Sequence, residues 1–452
     1  MPSFHVYALN PRTGKEAKLI YTTETSTLTD ENYISVVKRF EGQIKHAAVE
    51  KFPVGRRELQ TLKIQLGLAC NYSCDYCNQK SVSRADETSS QEVDDFIKGM
   101  DTWLTSQPSR VEFWGGEPLV YWKKLKPLAE SLRAKFPNAA FSIITNGALL
   151  DGEKVEWLDR MGFTVSISHD GPGQSVRGPD PLADISVREA ILDLYRKLAP
   201  LGRFSFNAML NRRNTSRAAI QKFFEDLVTP YTDHLVIGEG AFIDAYDQDG
   251  IEQSLTTASD RNQFKHQAFT EIRSGAASRF NGAVRERVAS FVTSLRMGRP
   301  ISSVGQKCGM DRSDTVAVDL RGNVLTCQNV SSVSTNPAGI SHKIGHVSDL
   351  ESVVLRSGIH WSDREGCRSC PMIHICKGSC LFLSGPLWEQ SCDNAYADAV
   401  PIFAAGIEFL TGLVPVLIEG DFRQDRKDLF GGFGEQPNCS SKKPFPIPVV
   451  SA

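Results

Sequence analysis

Between residues 61 and 240, short runs of alternating apolar and polar positions are separated by longer stretches with helical spacing. Strand-like runs fall at residues 62–68, 111–114, 140–145, 163–168, 204–209 and 234–237. Amphipathic stretches lie between them, at 90–104, 119–135 and 187–198 among others, each with apolar residues returning every three or four positions. Strand–helix alternation of this kind predicts an α/β fold with a parallel sheet and right-handed crossovers. Six units with chemistry-bearing residues at the ends of their strands point to a partial (β/α)6 TIM-like barrel over residues 61–300.

The flanks read differently. Residues 1–60 form a small preamble: runs at 4–9 and 17–21 flank Asn10-Pro11-Arg12-Thr13-Gly14 as a hairpin, and a helical pattern follows over 30–50. A leader-binding winged helix would need more than these 60 residues. Two further helical patterns, 260–273 and 281–297, lead to a cysteine-rich segment at 301–395. The chain then closes with a helix and, from Gly431, a Gly/Pro/Ser-rich tail expected to be mobile, together making 396–452.

Charge adds little. Lys plus Arg number 51 against 53 Asp plus Glu, a balance that offers nothing to a nucleic acid or an anionic membrane surface. The N-terminus carries no basic region followed by an apolar one, so a cytoplasmic location is expected. The longest apolar tract, 400–418, is interrupted by Pro401, Glu408 and Pro415 and reads as a packed, broken helix, not a membrane span.

The cysteines change the picture. Without an export signal, eleven of them are hard to read as a disulfide framework, and their distribution is clustered. Cys70-Asn71-Tyr72-Ser73-Cys74-Asp75-Tyr76-Cys77 follows the first barrel strand. Three thiolates within eight residues must wrap a compact centre as a loop, and three soft ligands without a fourth suit an iron–sulfur cluster with one open iron. Zinc favours a closed four-ligand shell and fits this set less well. A second group comprises Cys308, Cys327, Cys367, Cys370, Cys376, Cys380 and Cys392; zinc on Cys367, Cys370, Cys376 and Cys380 would leave the other three idle. Cys439 stands alone in the tail.

The C-x3-C-x-aromatic-C run, with Tyr76 as its aromatic, resembles the signature of the radical S-adenosylmethionine (SAM) enzymes. The second group resembles the SPASM domain, their extension carrying two auxiliary clusters. The resemblance implies three [4Fe–4S] clusters. Cys70, Cys74 and Cys77 would hold the first, and SAM would chelate its open iron. Cys367, Cys370, Cys376 and Cys392 would hold the outer auxiliary cluster, and Cys308, Cys327 and Cys380 the inner one. Asp314 occupies a position where some members have a further cysteine, so a carboxylate ligand or an open iron are both compatible with the pattern.

The resemblance also implies SAM contacts. Trp114-Gly115-Gly116-Glu117-Pro118 ends the second strand, where two glycines let the backbone approach a ligand and Glu117 can accept from its amino group. Thr145 and Asn146 end the third strand, where ribose contacts fall. Ser168 ends the fourth, and Arg177 is a carboxylate partner. Asp170 and Gln328 are candidate catalytic groups, although Asp170 also fits a purely structural role capping its turn. Glu239 and Asp244, with Asp247 and Asp249, follow the sixth strand and read better as a solvated loop. The acidic run there lacks the first and twelfth ligands of a calcium loop.

The function so implied is maturation of a ribosomally made precursor peptide or protein. A 5′-deoxyadenosyl radical would abstract a substrate hydrogen and leave a crosslink or an oxidised residue, with flavodoxin or ferredoxin as reductant. A sulfatase (formylglycine) maturase is a rival, disfavoured because Gln328 stands where that family commonly has Asp. Modification of an enzyme subunit is another. A non-catalytic iron–sulfur electron carrier would leave the SAM-binding strand ends unexplained.

Overall fold

The computed structural model describes residues 3–40, 45–356 and 358–431. Two sheets organise it. The larger has nine strands, and its centre is the expected parallel array in chain order: β4 (Thr61–Gln65), β5 (Arg110–Trp114), β6 (Ala140–Thr145), β7 (Phe163–Ser168), β8 (Phe204–Leu210) and β9 (Ile237–Phe242). Helices return the chain between neighbours: α1 (Ser90–Trp103), α2 (Trp122–Lys135), α3 (Gly152–Arg160), α4 (Ile185–Leu198) and α5 (Arg217–Val228). Each start except that of α2 is set by a side-chain cap. Ser89 and Glu92 form a capping box at α1, while Asp151, Asp184 and Ser216 accept backbone N–H groups at α3, α4 and α5.

Strand alternation separates the two sides of this sheet. On β7, Phe163, Val165 and Ile167 are buried toward the helices, where Phe113, Phe141, Phe163 and Trp157 pack ring against ring. The opposite positions carry polar groups: Lys63 pairs with Glu112 at 3.4 Å, and Ser166 bonds Ser205 at 2.8 Å. The barrel interior is therefore a polar lining around a cavity, and its apolar face is turned outward under the helices.

The sixth strand runs over Ile237–Phe242, later than the expected 234–237, where a short 3-10 turn (Thr232–His234) sits instead. On the other edge the sheet continues beyond the barrel. β10 (Thr315–Asp319) runs parallel to β4, and β11 (Asn323–Leu325) and β12 (Lys343–His346) extend it antiparallel. Part of the cysteine-rich segment is thus hydrogen-bonded directly to the strand that precedes Cys70.

Past the barrel lie α6 (Gln248–Glu252), α7 (Ala258–Ser274), α8 (Glu286–Met297), α9 (Glu365–Arg368), α10 (Ile373–Cys376) and the long α11 (Gly385–Thr411). The smaller sheet joins the two ends of the chain. β1 (Ser3–Leu9) pairs with β2 (Glu16–Thr22), which pairs with β3 (Thr27–Thr29), and the outer partner of β1 is β13 (Val414–Glu419). The apolar tract 400–418 therefore ends its helix at Gly412, in the left-handed region, and finishes as a strand.

The helix expected over 30–50 does not form in the described part of that range. Oδ1 of Asp30 accepts the N–H groups of Asn32 and Ile34, each at 2.9 Å, and Tyr33 is left-handed at φ 62°. This side-chain turn competes with helical bonding at the point where the helix would begin. The chain beyond is strapped to its neighbours: Phe40 N–H donates to Arg296 O, and Val49 N–H to Ser302 O. The tail from Gly431 onward, with Cys439, lies outside the described residues apart from Gly431 itself. Among the described residues no helix is long and apolar enough to cross a membrane.

Candidate active site and cysteine groups

A cavity of about 710 Å3 opens at the C-terminal ends of the barrel strands. Cys70, Cys74 and Cys77 line one part of it, and Cys308, Cys327 and Cys380 line another. Cys367, Cys370, Cys376 and Cys392 line a separate, smaller cavity. All ten of these thiols are free. Burial pushes Cys74, Cys308, Cys370 and Cys380 up to about 12 and Cys327 to about 11, and it raises Cys70, Cys367 and Cys376 as well. Such thiols give up their protons to a bound metal centre more readily than to solvent. Among the described residues, no three His, Cys, Asp or Glu side chains converge on the position of a single ion.

The first cysteine loop is held by backbone fit. Gly116 N–H donates to Gly67 O at 3.1 Å, and Glu117 N–H to Ala69 O at 3.0 Å. A Cβ on Gly116 would stand 2.4 Å from Ala69 O and 2.5 Å from Leu68 O. The glycine at this position admits the cysteine loop itself, which differs from the expectation that both glycines serve a ligand's approach. Ala69 N–H also donates to the Tyr121 hydroxyl at 2.6 Å.

Glu117 is buried and accepts from Leu119 N–H (2.9 Å), Thr145 Oγ1 (2.7 Å) and Asn146 N–H (2.7 Å). Burial raises its pKa despite these donors. The carboxylate ties the end of β5 to the end of β6 and keeps one acceptor direction spare. Asn146 Nδ2 then donates to Asn71 Oδ1 at 2.8 Å, so the third strand end is joined to the cysteine loop. Tyr76, Gly115, Gly116, Glu117, Thr145, Asn146, Ser168 and Arg177 all line the cavity; Pro118 opens the buried 3-10 turn behind it and does not.

Two candidates change role. Asp170 is wholly buried and does not line the cavity. Its Oδ2 accepts from the Tyr76 hydroxyl at 2.5 Å, and its Oδ1 accepts from Arg177 Nη2 (3.0 Å) and Met209 N–H (2.9 Å). With its oxygens committed, it is a positioning group and not a candidate base. Asp314 forms a two-pronged pair with Arg312 through Nε and Nη2, and it is absent from the lining around Cys308, Cys327 and Cys380. The structure does not bring it to the inner group. Gln328 does line the cavity, beside Cys327.

Of the acidic residues after β9, Glu239 and Asp244 both line the cavity, and half-buried Asp244 accepts from Ser379 Oγ (2.6 Å) and Ser391 and pairs with Lys307. Several supports carried no local sequence signal. Buried Gln65, at the end of β4, donates from Nε2 to Gln328 O and Val330 O, each at 2.6 Å, and so holds the Cys327 segment. Gln79 reaches Gly115 O and Asn329 Oδ1 from the first cysteine loop. Arg426, from the stretch after β13, donates to Asp393 at 2.6 Å and to Cys392 Sγ at 3.3 Å.

A partial parallel barrel whose first strand feeds a C-x3-C-x2-C loop into a polar cavity defines a class of enzyme. Residues 64–221 match the radical SAM superfamily, so the chain carries a radical SAM domain; proteins of that superfamily are enzymes using a [4Fe–4S] cluster and SAM. Over 351 residues the chain is 21% identical to the radical SAM cyclopropyl synthase TigE of Paramaledivibacter caminithermalis (strain DSM 15212 / CIP 107654 / DViRD3), covering 72% of this chain and 68% of that protein. The structure of anSMEcpe with bound AdoMet and Cp18Cys peptide superposes with a TM-score of 0.53 at 18% identity, covering 76% of this chain and 98% of that one. Native anSMEcpe with bound AdoMet gives the same score and identity over 77% and 99%. These likenesses establish the shared fold.

Proposed function

We propose that this enzyme modifies a peptide, as a maturase of a ribosomally made precursor, and that it holds three [4Fe–4S] clusters. The observation that carries the reading is the shared cavity: the first cysteine group and the inner one, Cys308, Cys327 and Cys380, line the same volume of about 710 Å3. The donor chemistry fits. Ten free thiols stand in sets of three, three and four, buried Arg364 and Arg426 approach the set of four, and the first set lacks a fourth thiol.

Cys70, Cys74 and Cys77 would hold the first cluster, which together with SAM would supply the radical chemistry that removes a hydrogen atom from an unactivated carbon. This chain's residues position the reactants. Glu117 offers its spare acceptor direction to the amino group of SAM, and Arg177, whose Nε is buried without a partner, offers a donor to its carboxylate. Thr145, Asn146 and Ser168 line the path to the ribose. The buried polar walls and the extended sheet limit entry of water. Gln328 beside Cys327 is the candidate polar group nearest the inner set. The inner and outer groups suit electron removal from the substrate, with an external flavodoxin or ferredoxin as donor at the start.

The cyclopropyl synthase relative and the peptide-bound fold relative support a peptide substrate and oxidative bond formation. The sulfatase-maturase alternative places an Asp where Gln328 stands. The test is anaerobic: reconstituted protein with dithionite is expected to release 5′-deoxyadenosine from SAM and to carry about twelve irons per chain. The C70A/C74A/C77A triple variant is expected to keep roughly eight irons and release none of the nucleoside. Intact SAM with the wild type points to an electron carrier instead, and near four irons removes the auxiliary assignment. Incubation with small peptides encoded beside the enzyme then identifies the substrate by mass change.

A further inference from the structure

Three guanidinium groups that are little exposed have a carboxylate: Arg177 and Arg426, which line the cysteine cavities, have Asp170 and Asp393, and Arg217 has Asp398. Arg364 does not. It is 6% exposed, and no carboxylate forms an ion pair with it among the described residues; neighbouring Asp363 is engaged with Lys51. Its Nη2 donates to the carbonyls of Cys380 (3.3 Å), Leu381 (3.3 Å) and Leu383 (2.8 Å), its guanidinium lies 4.6 Å from the Trp388 ring centre, and its Nε is buried without a partner. A buried charge without a counter-charge is strongly unfavourable.

The surroundings name the missing charge. Arg364 caps the short helix α9 that carries Cys367, and its carbonyl accepts Cys367 N–H at 3.0 Å. Its three carbonyl partners begin at Cys380. One side chain thus staples the segment of the outer group to the segment of the inner group. Burial lowers the guanidinium's pKa, and Cys367, Cys380 and Cys392, drawn from both groups, push it back up.

We propose that Arg364 is a positioning residue shared by the two auxiliary sites, and that the negative charge of their loaded centres is its counter-ion. This rests on the reading that both groups hold anionic iron–sulfur clusters. A fixed cation between two such centres favours their reduced, more negative forms, so it raises the potentials of both and couples them.

The test uses the full chain, reconstituted and as apo-protein, with wild type, R364M and R364K. Iron and sulfide content, EPR-monitored redox titration of the auxiliary signals, and thermal unfolding before and after loading are measured. R364M is expected to shift both auxiliary midpoints to lower potential, and R364K to bring them back toward wild type. The rise in melting temperature on loading is expected to be smaller in R364M than in wild type, because the apo variant no longer buries an unpaired charge. A variant that loads normally with unshifted midpoints, or an equal gain in melting temperature on loading, overturns the proposal. If R364M fails to load, a loaded R364K with wild-type midpoints supports it and a loaded R364K with both midpoints lowered overturns it. Wild type that takes up only about four irons overturns the cluster reading itself, a result distinguishable from all of these.

Discussion

The hydroxyl of Tyr76, one residue before Cys77, donates to Oδ2 of Asp170 across 2.5 Å, and Asp170 sits just past the end of β7. The other carboxylate oxygen takes Arg177 and the backbone of Met209 at the end of β8. Two strand ends and the first cysteine loop therefore meet on one buried carboxylate. Removing it with D170A breaks a buried pair and strands Arg177, so a loss of about 3–5 kcal/mol in unfolding free energy is expected. Y76F removes one hydrogen bond and is expected to cost about 1 kcal/mol. Denaturant unfolding of the apo-protein measures both. A D170A protein as stable as wild type but unable to cleave SAM would return Asp170 to the chemistry.

The contact between Gly116 and the cysteine loop yields a sharper expectation. A methyl group here meets two backbone carbonyl oxygens at 2.4 and 2.5 Å, neither of which can swing away as a side chain does. G116A is expected to displace the loop carrying Cys70 and lower SAM cleavage on the order of 100-fold through misplacement alone. Iron at the first site is expected to fall, and the auxiliary EPR signals to persist. Equal loss of all three sites argues instead for general misfolding.

Much of the barrel was legible because its physics is local. The runs at 140–145 and 163–168 coincide with β6 and β7, where apolar positions alternate cleanly between helices and a polar interior. The cysteine spacing likewise separated the first three thiols from the other seven, and the resemblance to the SPASM domain divided those seven into the sets that line the two cavities. What escaped depended on distant partners. β10 was readable in principle, since Thr315-Val316-Ala317-Val318-Asp319 precedes a turn at Gly322, but its pairing with β4 has no local signature. The helical pattern at 30–50 yielded to one side-chain turn at Asp30. Arg364, Arg426 and Gln65 look like ordinary surface residues along the chain; only the fold shows what they touch.

Acid sensitivity is expected from His342. Its ring is buried beside Thr326, with Nδ1 2.6 Å from Oγ1, and burial lowers its pKa from 6.5 to about 4. Between these values the unfolded chain binds the extra proton and the folded one does not. The stabilisation is therefore complete above pH 6.5 and is lost as pH falls toward 4, by on the order of 3 kcal/mol. Unfolding of the apo-protein at pH 7 and pH 5 reads this out, and H342N is expected to flatten the difference. An unchanged slope would assign the acid sensitivity to other groups.

Arg426 makes the fold of the chain's two ends a condition for the outer cysteine site. β13 is registered against β1 in the smaller sheet, and seven residues after Glu419 the chain delivers a guanidinium that is 7% exposed. It pairs with Asp393, donates to Cys392 Sγ and lies 4.7 Å from the Tyr396 ring centre. Unlike Arg364 it has its own carboxylate, and its removal leaves half-buried Asp393 with its remaining pairs to Arg423 (2.9 Å) and Arg261 (3.7 Å). R426A is expected to destabilise the apo-protein by roughly 1.5–3 kcal/mol, as for loss of a hydrogen bond to a charged group, and to weaken loading at the outer site, while SAM cleavage at the first site continues. R426K keeps charge but loses the two-pronged reach to Asp393 and Cys392, so an intermediate loss is expected. Substitutions in β1 that break its pairing with β13 are expected to reproduce the outer-site defect from the far end of the sequence. If they leave outer-site loading intact while R426A abolishes it, the arginine is held by its local contacts alone and the sheet is dispensable for its placement.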